Sequence, residues 1–158
     1  MTRFFAVPYD SGHHNVRMGA GPLRIMQALG IDAEEIAPAR EWRAEIATTF
    51  ELYHRLAERI AAHPDSLPIV LAGNCGAAIG AAAGVGTTRL AAIWFDAHGD
   101  YNTPDATESG FLDGMSMAIL TGHCWKNLAS TIPHFTPIPP KRPPAFSRRR
   151  SEIGGPAD

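Results

Sequence analysis

Asp96, His98 and Asp100 follow directly on an apolar run, Leu90 to Phe95, and are spaced by single small residues, Ala97 and Gly99. In a chain still extended past a strand, alternate residues project to one side, so two carboxylates and an imidazole converge on a small volume. Unpaired, such a group is a costly concentration of charge. A divalent cation resolves the repulsion, and oxygen and nitrogen donors suit manganese, iron or zinc. Taken singly, each residue has a plainer role: Asp96 as a turn cap, His98 as a satisfied histidine, Asp100 as the start of an Asx-turn. The triple at this spacing favours a metal.

The elements that must position these groups are written in the apolar pattern. Arg3 to Val7 is a run of strand formers stopped by Pro8, and a polar, Gly-rich loop follows from Tyr9 to Gly21. Gly21 to Gly30 predicts a helix, with Pro22 in its first turn, Leu23, Met26 and Leu29 on one face, and Gly30 as the stop. A longer helix is expected from about Ala44 to Ala62, where Ile46, Phe50, Tyr53, Ala57 and Ile60 recur at spacings of three and four; Pro64 ends it. Ser66 to Gly73 is a compact strand candidate, Asn74 to Gly86 an Ala/Gly-rich helix, and Thr88 to Phe95 a second buried strand. Alternating strands and helices predict an α/β unit with a parallel sheet. In such sheets ligands bind beyond the carboxyl ends of the strands. Two of those ends carry polar groups: Gly73-Asn74-Cys75-Gly76 and Asp96 to Asp100.

At 158 residues and a net charge of -2, the chain suits one domain with a real core. Lys141, Arg142, Arg148, Arg149 and Arg150 outnumber Glu152 and Asp158 near the end, so the preceding body is acidic and is not expected to bind nucleic acid. Cys75 and Cys124 form no Cys-x-x-Cys pair, which points to a reducing, cytoplasmic setting. No apolar run approaches a membrane span or a signal peptide. From Pro140 to Asp158 no period of two or 3.6 survives among the prolines and arginines, which predicts a disordered basic tail.

Four stretches resemble the ureohydrolase superfamily of arginases, agmatinases and formiminoglutamases. Leu71 to Gly80 (LAGNCGAAIG) is similar to its Gly-Gly-Asp-His-Ser block. Trp94 to Asp105 (WFDAHGDYNTPD) matches its Asp-Ala-His-x-Asp-x-x-Thr-Pro block almost residue for residue. Ser109 to Leu120 (SGFLDGMSMAIL) resembles its Ser-Gly-x-x-His-Gly-Met-Pro block, and Met18 to Leu29 resembles its Gly-x-Gly-Pro entry to the first helix.

The resemblance spans Arg3 to Pro139 and implies a three-layer α/β/α fold with a mainly parallel sheet, here truncated. Residues 1–139 would form a partial arginase-like domain and 140–158 the tail. It also implies two manganese ions sharing an activated hydroxide that cleaves a C–N bond of a guanidino or formimino substrate. By matched position Asp96, His98 and Asp100 are metal ligands, and His98 and Asp113 are the catalytic candidates.

Two positions depart from the family: Cys75 stands where its first metal-binding His is usual, and Asp113 where its third block has a His. A thiolate shifts preference towards zinc or iron. The later Asp-x-Asp pair of the family has no counterpart after Asp113, and the family sheet order 2-1-3-8-7-4-5-6 puts two strands between the third and the fourth. The Pro/Arg-heavy composition after Pro139 fits translation in a shifted reading frame. The expected function is a metal-dependent C–N hydrolase impaired by truncation. The alternative is an inactive remnant or a non-catalytic metal- or partner-binding module. Family members tend to form homo-oligomers.

Overall fold

The computed structural model describes residues 1–40 and 44–138, so the expected tail lies outside the described residues. In chain order the elements are β1 (Thr2–Val7), a small hairpin of β2 (Tyr9–Asp10) and β3 (His13–His14), α1 (Gly21–Leu29), β4 (Glu34–Glu35), α2 (Glu45–Ala61), β5 (Leu67–Ala72), α3 (Ala77–Val85), α4 (Ser116–Leu120) and α5 (Lys126–Ala129). The main sheet has the order β4-β1-β5, and both pairings are parallel. The register sets Phe5 beside Val70 on one side and beside Glu34 on the other.

Phe5 and Val7 pack with Leu52, Leu56 and Ile60 of α2 and with Ile36. The intervening Ala6 is fully buried on the other face of the sheet, so β1 is covered on both sides, as a central parallel strand must be. A second stripe of α2, Phe50, Tyr53 and Ala57, meets α3 and the segment from Leu112 to Ile132. Two adjacent stripes on one helix explain why α2 forms without a side-chain cap at Ala44: packing, not capping, holds it. Helix α1 ends as expected on Gly30, left-handed at φ 61°, whose N–H donates to the Met26 carbonyl.

Two close approaches need glycine. A Cβ on Gly73 would collide with the Tyr9 carbonyl oxygen and lie 2.6 Å from the Gly19 Cα, so the exits of β1 and β5 meet the turn before α1 with no room for a side chain. A Cβ on Gly80 would lie 2.6 Å from the Tyr53 carbonyl oxygen, which brings α3 against the backbone of α2.

The strand expected from Thr88 to Phe95 does not form; Thr87–Arg89 is a short 3-10 turn instead. Leu90 to Phe95 has no ladder partner among the described residues, and Ile93 and Phe95 are 79% and 93% exposed. A strand exists only through its neighbours. The observed order β4-β1-β5 is the 2-1-3 part of the order implied above, and the two strands that would stand beside this segment are not among the described residues. An unpaired apolar segment is adhesive. Ile93→Lys with Phe95→Lys should abolish concentration-dependent self-association in analytical ultracentrifugation while changing stability by no more than about 0.5 kcal/mol. Association that persists in the double variant would place the adhesive surface elsewhere. Among the described residues no helix is long and apolar enough to cross a membrane.

Candidate metal centre

The turn from β5 into α3 carries Asn74, Cys75 and Gly76. The Asn74 Oδ1 accepts from the Ser11 N–H at 3.0 Å, and its Nδ2 donates to Asp10 Oδ1 at 3.4 Å and to Asp113 Oδ2 at 3.3 Å. Asp113 Oδ1 accepts from the Gly76 N–H at 2.9 Å and from the Ser116 hydroxyl at 3.3 Å. The same stretch grips the other loop: the Asp100 carbonyl accepts from the Met117 and Ala118 N–H groups at 2.9 and 3.2 Å, and the Asn102 N–H donates to the Gly114 carbonyl at 3.1 Å. Residues 113–118 therefore clamp the loop after β5 to the loop after residue 95.

Between the clamped loops, one donor atom each from Cys75, Asp96 and Asp100 lies within 4.8 Å of the others. The Cys75 Sγ–Asp96 Oδ2 distance is 3.5 Å. His98 does not join them. The backbone bends at Ala97 and His98 and turns left-handed at Asp100, φ 46°, so the simple alternation expected of an extended chain fails. The His98 ring is 83% exposed, its Nδ1 3.4 Å from Asp96 Oδ1. Asp113 acts on the turn around Cys75 rather than as one of the converging donors.

The charge pattern is one-sided. Burial first, then Asp96 and Asp113, raises the Asp100 carboxyl above its ordinary range, with Cys75 and His98 pulling the other way. Burial, then Asp113, Asp100 and Asp96, also pushes up the Cys75 thiol. The Asp96 carboxyl is lowered, chiefly by the His98 N–H that it accepts at 2.9 Å. Among the described side chains no Lys or Arg forms an ion pair with Asp96, Asp100 or Asp113. Asp100 is only 9% exposed, and its Oδ2 is buried without a hydrogen-bond partner. A buried carboxylate oxygen left without a donor is costly, and a cation would satisfy it. The donor set fits a divalent ion.

Sequence reasoning missed Asp10 and Arg17. Asp10 is 3% exposed, sits beneath Asn74, and pairs through Oδ2 with the Arg17 Nε at 2.7 Å. Its only sequence signal is the turn-like Asp-Ser-Gly, which says nothing about burial.

The arginase family model matches residues 2–134. The chain belongs to the arginase family. An arginase of Staphylococcus aureus (strain MRSA252) is 43% identical over 63 residues, covering 39% of this chain and 21% of that protein. Bacillus subtilis (strain 168) arginase is 27% identical over 169 residues, covering 94% of this chain and 57% of its own length. The solved arginase of Bacillus caldovelox superposes with a TM-score of 0.68 at 27% identity, over 88% of this chain and 55% of that one. The match thus spans little more than half the length of the two Bacillus arginases and about a fifth of the Staphylococcus aureus one. The family fold expected from the four sequence blocks is the one observed, in its N-terminal portion.

Proposed function

We propose that this chain carries the N-terminal half of a metal-dependent C–N hydrolase site of the arginase family, acting on a small guanidino or formimino substrate. The observation that carries the reading is the convergence of Cys75, Asp96 and Asp100 around the unpartnered Asp100 Oδ2. Asp96, Asp100 and Cys75 would hold the cation, with His98 close by against Asp96; manganese is the ion the family resemblance names, zinc or iron the ions a thiolate donor favours. A divalent cation at such a site supplies Lewis acidity that makes water nucleophilic near neutral pH. His98, 83% exposed with its Nδ1 3.4 Å from Asp96 Oδ1, stands between the cation site and solvent. Asp113 keeps the Cys75 turn in place and offers a carboxylate to a cationic substrate group. The relatives' name, arginase, makes arginine the first substrate to test.

The unpaired Leu90–Phe95 segment favours a second reading, a metal-binding remnant without turnover. One experiment separates the two. The full chain is titrated with manganese and zinc, then assayed for urea or ammonia release from arginine, agmatine, guanidinobutyrate and formiminoglutamate. Asp96→Ala should weaken cation binding by about 100-fold or more and remove any turnover. Turnover that survives Asp96→Ala excludes this site from the chemistry. Cation binding with no turnover on any substrate leaves the remnant reading standing.

A further inference from the structure

We infer that Cys75 is a metal ligand through its sulfur, making this a mixed thiolate–carboxylate centre that prefers zinc- or cobalt-like ions over manganese. The inference rests on the metal-centre reading above and specifies what the site takes.

The first support is size. Ligand atoms on one zinc-sized ion sit about 2.0–2.3 Å from it, so any two of them are at most about 4.6 Å apart. The three donors lie within 4.8 Å of one another, and Sγ is 3.5 Å from Asp96 Oδ2. Three donors within that limit share a centre no more than about 2.8 Å from each, so a single ion reaches sulfur and both carboxylates with inward movements of at most about 0.8 Å. The second support lies on another residue: Asp100, nine-tenths buried, presents an Oδ2 with no hydrogen-bond partner. The third is position. Cys75 is fixed by its neighbours on both sides, since Asn74 bonds to Ser11, Asp10 and Asp113, and the Gly76 N–H bonds to Asp113. The backbone that carries the sulfur is thus held beside the cluster by the fold. Cys124, the other free cysteine, is buried in the core with Ile119, Ala129 and Ile132.

Soft thiolate selects zinc and its cobalt surrogate, whereas manganese keeps to oxygen and nitrogen donors. On binding, the S–H bond breaks, the sulfur lone pair forms the metal–sulfur bond, and the proton passes to solvent; no redox change occurs.

The test is titration of the full chain with cobalt(II), followed by absorbance. The expected result is a near-ultraviolet thiolate-to-cobalt charge-transfer band together with visible d–d bands. Cys75→Ser should lose the charge-transfer band, keep the d–d bands, and lower the zinc-to-manganese affinity ratio by about 10-fold or more. Cys124→Ser should keep the band. Visible bands without a charge-transfer band in the unaltered chain would overturn sulfur ligation while leaving the metal centre intact. No cobalt, zinc or manganese binding at all would overturn both this inference and the reading on which it rests. A charge-transfer band that survives Cys75→Ser would assign it to another thiol and refute the inference.

Discussion

Gly80→Val lowers stability by about 3 kcal/mol or more, equivalent to a fall of roughly 10 °C in Tm for a chain of this size. The cause is contact with backbone, which cannot rotate away. A Cβ at residue 80 stands 2.6 Å from the Tyr53 carbonyl oxygen and 3.0 Å from its Cα, so α3 must withdraw from α2 and open the cluster that joins Phe50, Tyr53, Ala57, Ile79 and Ala83. Valine adds two methyl groups to that conflict. Gly21→Ala is the contrast: its backbone is right-handed at φ -58°, nothing lies within 4 Å of the added carbon, and stability should rise by up to about 1 kcal/mol. Thermal melts followed by circular dichroism measure both. Equal effects at the two positions would refute the close α2–α3 approach.

The second large effect falls on Asp113. Asp113→Ala removes the acceptor of the Gly76 N–H and of the Asn74 amide at once, leaving a half-buried turn without its anchor, and should cost about 2 kcal/mol. It should also weaken cation binding, although Asp113 is not among the three converging donors, because the Cys75 turn loosens. Asp113→Asn keeps an oxygen for the Gly76 N–H and should lose well under half as much stability. If Asp113 also binds a cationic substrate or takes up a proton, the asparagine variant loses turnover by about 100-fold with its melting curve nearly unchanged. Urea unfolding paired with the urea-release assay reads both roles. An alanine variant as stable as the parent would show that the clamp contributes nothing.

Local pattern made much of this fold legible. Helix α2 runs over Glu45–Ala61 where a span from Ala44 to Ala62 is expected, because its apolar spacing is long and Pro64 sets its end. Pro22 and Gly30 bracket α1 for equally local reasons. Strand β4 was not legible: two glutamates carry no alternation, and they pair only because β1 is already beside them. The segment from Leu90 to Phe95 is the converse, since its residues are good strand formers and only a neighbour is wanting. Within the site, Asp96 and Asp100 were readable because charge after an apolar run is unusual. The outward turn of His98 was not, as it follows from a bend that alternation cannot foresee. Asp10 stayed hidden because burial of a loop carboxylate depends on Asn74 and Arg17, which are distant in sequence or different in kind.

The clamp described at residues 113–118 has a consequence for how the molecule holds together. Cys75 belongs to the sheet-bearing part of the chain, whereas Asp96 and Asp100 belong to a stretch with no ladder of its own. An ion gripped by all three would act as a cross-link between two folding units, and its binding free energy would add directly to their docking. By mass action, an ion at 100 times its Kd would contribute about 2.7 kcal/mol. The availability of free metal would then set how firmly the loop-rich half stays attached.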